Sequence, residues 1–264
     1  RYIEQNFNAC VKYYKEVYRD IKDKIEDKIL SVLKTLSKEE VKQIVYGIIE
    51  QKLNLKKNAI FTSSPKFIVL TNRLKKVVLQ SIKYIVYQIQ NSDFEILGNE
   101  LEFKKRIDNV EITGKIDRLD GVETENGKYI RIIDYKSSVK NIDLNEVVAG
   151  IQIQLLTYLD AVSKKENADL AGVLYFNLIE PVIKTKNKNL TEEELEQEIR
   201  SNFKMNGLIL GNVEVVKMMD NNLTMGNSNI IPAYIDKEGN LSKNKPSILE
   251  KEDFLAPREV IFVF

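Results

Sequence analysis

"RIIDYKSS", residues 131–138, is the stretch whose reading decides the fold. Ile130, Ile132 and Ile133 form an apolar run that passes straight into Asp134, Tyr135 and Lys136. Branched apolar residues at this density predict a strand. Side chains alternate along a strand, so Asp134 and Lys136, two apart, leave the same face. An acid and a lysine placed so at a strand end are either a solvated ion pair or the centre of a metal site. The stretch alone leaves both open.

Working outward, "GKIDRLD" (114–120) carries Asp117, and "ETENGKY" (123–129) lies between the two segments. Asn126-Gly127 is a strong hairpin signal, favouring a type I′ turn. Three strands are predicted, 94–106, 109–122 and 128–137, the last two antiparallel neighbours. Such a hairpin folds Asp117 and Asp134 to one end of the sheet. Two carboxylates there can hold Mg²⁺ or Mn²⁺ through hard oxygen ligands. A bound metal lowers the pKa of its water and neutralises phosphate charge, and the Lys136 ammonium can steady that water or the charge that develops. Glu100, in "NELEF", is a further carboxylate able to support the metal. Asp143 is a plausible N-cap for a helix over 144–164, where "GIQIQLLTYLDA" places Gln154 and Tyr158 four apart on one face. Lys104, Lys105, Arg106, Lys115, Arg118, Arg131 and Lys140 surround these motifs with positive charge that suits a phosphate backbone. Lys115, Arg118 and Lys140 are the candidate DNA-binding residues among them.

Further out the pattern is helical. Val11, Tyr14, Tyr18, Ile21, Ile25, Ile29 and Val32 recur at spacings of three and four. Ser37 with Glu40 is a capping box opening a helix over 38–53. Pro65 suits the first turn of another that runs to about Gln90. On the other side, "LAGVLYFNLI" (170–179) reads as a strand buried on both faces. The polar "TEEELEQEIR" (191–200) is helix-prone, a short helix is expected over 212–220, and a weakly patterned tail follows. The reading is α/β, with a helical N-terminal lobe (1–92) and a core of mixed sheet and helices with a C-terminal extension (93–264).

Bulk properties narrow the chemistry. The 264 residues include one cysteine, Cys10, and no histidine. An internal disulfide, a Ser-His-Asp triad and a His-based zinc site are therefore all excluded within this sequence. Hydrophobic content of 43%, charged content of 30% and net charge +1 describe a soluble globular protein. No apolar run approaches the roughly 20 residues that span a bilayer, and a cytoplasmic setting is expected. With Arg1 leading and no signal peptide visible, a fragment of a longer chain is expected.

GKIDRLD, IIDYKSS and GIQIQLLTYLDA, in this order and spacing, resemble the RecB-type branch of the PD-(D/E)XK nucleases, and within it the AddB-type nuclease domains of bacterial helicase–nucleases. "NACVKYYKEVY", "GLILGNVEVVKMMD" and "GNSNIIPAYI" extend the resemblance more weakly in both directions. The resemblance implies a restriction-endonuclease-like PD-(D/E)XK core. It implies that Asp117, Asp134 and the Tyr135 backbone carbonyl hold Mg²⁺ or Mn²⁺, that Lys136 is the catalytic lysine, and that Gln154 and Tyr158 complete the site. It further implies hydrolysis of single-stranded DNA fed by a helicase during double-strand-break repair, beside a partner subunit of AddA type. Two features depart from that pattern. The family carries an upstream histidine, expected near "EDKILSVLKTL" (26–36), where none exists. The related 4Fe–4S cluster needs four cysteines; Cys10 fits the first, and the others have no counterpart. A nuclease fold that binds DNA without cutting it, and a stand-alone CRISPR-associated exonuclease with the same motifs, are the alternatives. The long extension after residue 180 favours the AddB type.

Overall fold

The computed structural model of the chain describes residues 35–107, 110–142, 167–181, 190–242 and 247–252. Contacts divide these residues into two compact units, cut at Gln90/Asn91, Asn177/Leu178 and Asn202/Phe203.

The first unit is helical. Helix α1 (Lys38–Leu53) opens on the predicted capping box, with Ser37 N–H donating to Glu40 Oε2 at 2.8 Å and Glu40 N–H donating to Ser37 Oγ. Val41, Val45, Ile49 and Leu53, four apart, form its buried stripe. A 3₁₀ segment (Lys56–Thr62) leads to α2 (Pro65–Gln90), which begins at the predicted proline. Thr71 Oγ1–H donates to Phe61 O at 3.0 Å and ties the two together. Helix α3 (Glu192–Asn202) buries none of its residues. It joins this unit through polar contacts: Lys38 pairs with Glu196, and the Arg200 guanidinium lies 4.4 Å from the centre of the Tyr87 ring.

The second unit is built on a mixed sheet of six strands: β1 (Glu95–Ile107), β2 (Val110–Thr124), β3 (Gly127–Lys136), β4 (Asp169–Asn177), β5 (Asn206–Leu210) and β8 (Ile248–Leu249), adjacent in that order. Pairing is antiparallel except for β3/β4 and β5/β8, which are parallel. Between β5 and β8 come α4 (Val213–Met219) and a small hairpin of β6 (Gly226–Asn227) and β7 (Tyr234–Ile235). The three predicted strands form close to their expected bounds. Strand β4 is buried from Leu170 to Asn177, as its unbroken apolar run requires. The sequence reading had no strand at β5, which precedes the short helix expected over 212–220, and left β8 within the tail.

The β2–β3 hairpin forms, but its turn is not type I′. Thr124 pairs with Gly127, leaving Glu125-Asn126 as the loop. A type I′ turn needs positive φ at both loop residues. Neither has it, and Gly127 alone is positive, at 119°. Thr124 Oγ1 fixes the bend by accepting from Asn126 N–H (3.2 Å) and donating to Gly127 O (2.8 Å). No helix among the described residues is long and apolar enough to cross a membrane.

Candidate metal and catalytic site

Register brings the two predicted acids together. Arg118 of β2 stands opposite Ile133 of β3. One step further along the same register, Asp117 faces Asp134, and directly opposed residues share a face. A hydrogen bond fixes this end of the ladder: the Tyr135 N–H donates to Asp117 Oδ2 at 2.8 Å. A strand residue sends its N–H and C=O to the same edge, so the Tyr135 carbonyl also faces β2, on the side where Asp117 lies.

Asp134 is buried, 5% exposed. The Lys136 Nζ lies 2.7 Å from its Oδ2. That ammonium satisfies the charge but not the hydrogen-bonding angle, because Oδ2 is buried without a hydrogen-bond donor. Lys136 also lies over the Tyr175 ring of β4, 5.1 Å from its centre. In the parallel β3/β4 register Asp134 stands beside Tyr175, and Lys136 beside Asn177. Asn177 is itself buried, and its Oδ1 accepts the Lys140 N–H at 3.1 Å, which directs the chain as it leaves β3.

These donors fit a hard divalent cation. A buried carboxylate, a second carboxylate on the neighbouring strand and a backbone carbonyl are all oxygen ligands. No group of three or more His, Cys, Asp or Glu side chains gathers among the described residues. Mg²⁺ typically takes one or two protein carboxylates and keeps several waters, so this donor set suits it.

Glu100 falls opposite Asp117, between the pairs Asn99–Arg118 and Leu101–Ile116 of the β1/β2 register. It lies in β1 with φ 51°, an uncommon conformation for a non-glycine residue. Its carboxylate pairs with Lys115 of β2. Lys115, predicted to meet DNA, is thus engaged by Glu100 while its side chain stays 43% exposed. Lys140 is exposed, as a phosphate contact requires.

The expectation for Arg118 is overturned. Its side chain is 1% exposed and grips Asp120 with two 2.7 Å hydrogen bonds, from Nε to Oδ1 and from Nη2 to Oδ2. Arg131, across the hairpin from Asp120, donates from Nε to Oδ2 at 2.9 Å and lies 4.7 Å from the centre of the Phe94 ring. Strand alternation puts this triad on the sheet face opposite Asp117 and Asp134. Burial works against the Arg118 charge, yet Asp120 and then Tyr135 raise its pKa overall. In Arg131 burial wins and the pKa is lowered, although Asp120 opposes it; the like charge of Arg118 adds to the lowering. No phosphate can reach Arg118, and Arg131 is equally lost to the surface charge counted around the motifs.

Gln154, Tyr158 and Cys10 lie outside the described residues. Tyr175, Asn177 and Asp120 were not singled out in the sequence. For Tyr175 and Asn177 the available signal was a polar edge in an otherwise apolar strand, two apart like Asp134 and Lys136.

Residues 15–221 match the PD-(D/E)XK nuclease superfamily. Among similar curated proteins is the B-type subunit of the ATP-dependent helicase/deoxyribonuclease of Clostridium perfringens (strain SM101 / Type A), 38% identical over 245 residues, covering 86% of this chain and 21% of that protein. The protein of the same name from Clostridium novyi (strain NT) is 40% identical over 236 residues, covering 83% and 20%. That from Acetivibrio thermocellus is 37% identical over 227 residues, covering 79% and 20%. The chain spans about a fifth of the length of these relatives.

Proposed function

We propose, for a chain that belongs to the PD-(D/E)XK nuclease superfamily, that the Asp117–Asp134–Lys136 site hydrolyses DNA phosphodiester bonds with Mg²⁺ or Mn²⁺. The observation that carries the reading is the meeting of Asp117, tied to Tyr135, with a buried Asp134 whose Oδ2 has the Lys136 ammonium at 2.7 Å. That is an oxygen set built for a hard cation rather than a solvated ion pair. Asp117, Asp134 and the Tyr135 carbonyl would hold the ion. When bound, it supplies Lewis acidity and charge neutralisation at the phosphate.

The chain's own groups do the rest. The Tyr135 N–H keeps Asp117 at the strand end in one orientation. Burial keeps Asp134 poor in water contacts, which strengthens every charge interaction it makes. Lys136 is the cation able to donate to phosphate oxygens as negative charge builds during attack by water. Gln154, Tyr158 and Lys140 are proposed to contact the DNA or the reacting groups, and Cys10 to be a cluster ligand only where further cysteines are supplied.

The names of the relatives support a finer reading: a nuclease domain of a helicase/deoxyribonuclease that cuts single-stranded DNA in repair, inside the cytoplasm, beside an AddA-type partner. A second reading, a nuclease fold that binds DNA without cutting it, draws on the absence of histidine from all 264 residues. One assay separates them. Labelled single-stranded DNA is incubated with the chain, Asp134→Ala and Lys136→Ala, with and without Mg²⁺ or Mn²⁺. Metal-dependent cleavage lost in both variants is expected; binding without cleavage by the parent selects the second reading.

A further inference from the structure

Lys136 faces a conflict that the site geometry poses and Tyr175 resolves. Its ammonium sits 2.7 Å from Asp134 Oδ2, on a carboxylate that would also hold a divalent cation. Two cations drawn to one carboxylate repel each other, so an ion bound at Asp134 weakens the ammonium's hold there. Lysine is a flexible chain with a point charge, and with no other host it would spread over many rotamers. The second host is already in contact: the face of Tyr175, 5.1 Å from Nζ. That ring is held rigidly, being 7% exposed on a buried strand and aligned with Asp134 in the parallel register. Aromatic faces attract ammonium groups without demanding a counter-charge.

We propose that Tyr175 is a positioning residue for Lys136, its ring face holding the ammonium at the site once Asp134 is engaged. The inference rests on the nuclease reading for its role in turnover, but not for the contact itself. It predicts that the ring, not the hydroxyl, matters.

Two measurements test it. In the first, the Lys136 ε-methylene resonance is followed by NMR in lysine-labelled chain and assigned by its loss in Lys136→Arg. Asp134→Asn removes the counter-charge without any metal. The resonance should stay upfield, under the ring current, in Asp134→Asn and in Asp134→Asn/Tyr175→Phe, and should return to the position of the other lysines in Asp134→Asn/Tyr175→Leu. A return to that position in Asp134→Asn alone overturns the proposal. In the second, kcat for cleavage should fall roughly tenfold in Tyr175→Leu with KM unchanged, and stay near the parent in Tyr175→Phe. Equal loss in both substitutions overturns it as well. Absence of cleavage by the parent would sink the nuclease reading, while the resonance measurement would still decide whether Tyr175 holds Lys136.

Discussion

The Tyr135 N–H donates to Asp117 Oδ2 at 2.8 Å, and this bond makes one carboxylate both the end of a β-ladder and a candidate metal ligand. The two roles respond differently to substitution. Asp117→Asn keeps an oxygen that can accept from Tyr135 but loses the charge. Asp117→Ala loses both. Metal-dependent cleavage should drop about a thousandfold or more in each, since several kcal/mol of charge stabilisation go with the ion. Only the alanine variant should also lose stability, by about 1–3 kcal/mol for an unpaired backbone donor. Thermal melts with and without Mg²⁺ check this. The melting temperature of the parent should rise with Mg²⁺ by linkage, and neither variant should respond as strongly.

Lys136→Met gives a different signature. The substitution keeps the stem volume and deletes the ammonium, leaving buried Asp134 without its counter-charge. The metal-free chain should be destabilised, because a carboxylate unpaired in a desolvated place is costly. Mg²⁺ should then stabilise the variant more than it stabilises the parent, since no ammonium competes for the Asp134 carboxylate. Cleavage should nonetheless fall by about a hundredfold or more, for the charge developing at the phosphate loses its donor. Melting curves across a Mg²⁺ titration read the first effect, and single-turnover cleavage reads the second. A variant as stable as the parent without metal would show that the ion pair is not the counter-charge of Asp134.

The legible and illegible parts of this chain separate by the range of the physics involved. Asp134 and Lys136 were readable because alternation along one strand fixes their shared face. The helices opening at Ser37 and Pro65 were readable because caps are local. Asp117 needed only the hairpin, which Asn126-Gly127 signals whichever turn forms; the turn type itself escaped because the same dipeptide serves a loop in which glycine alone takes positive φ. Arg118 was misread because a charge in sequence reads as surface, and only the pairing of Asp120 with Arg131 across the hairpin buries it. Alternation did carry the hint, since Arg118 and Asp120 lie on the face opposite Asp117. Strand β8 spans Ile248–Leu249 alone, too short for any period to register. The grouping of α3 with α1 and α2 depends on Lys38–Glu196 and Arg200–Tyr87, contacts that no local pattern announces.

Two helix starts carry a pH dependence. Glu40 is held below its ordinary pKa of 4.5 by side-chain and then backbone hydrogen bonds from Ser37, and Glu194 by backbone and then side-chain hydrogen bonds from Thr191. A carboxylate whose folded pKa is depressed contributes stability fully above its unfolded value, and loses it as pH falls through the folded one. The starts of α1 and α3 should therefore loosen in acid, below about pH 4.5. Carboxyl NMR titration should place both midpoints under the ordinary value. Ser37→Ala should move the Glu40 midpoint back up and leave that of Glu194 where it was.

The last test concerns the triad behind the site. Among the described residues, Asp120 is the carboxylate paired with both buried guanidinium groups, and both Nη atoms of Arg131 have no hydrogen-bond partner. Asp120→Ala would leave two buried cations side by side, and should cost about 3–5 kcal/mol. Replacing all three at once, by Arg118→Met, Asp120→Leu and Arg131→Met, removes the charges together with their desolvation penalty, and should restore stability to near the parent or above it. The role predicted for the triad instead is register. Asp120 faces Arg131 across the hairpin, and a slip by one residue would separate them while moving Asp117 off the face of Asp134. The triple variant should therefore melt like the parent yet bind Mg²⁺ more weakly, because an apolar face of interchangeable side chains tolerates the slip. Chemical denaturation paired with Mg²⁺ calorimetry distinguishes the cases. A triple variant that binds Mg²⁺ like the parent would show that the hairpin turn alone sets the register.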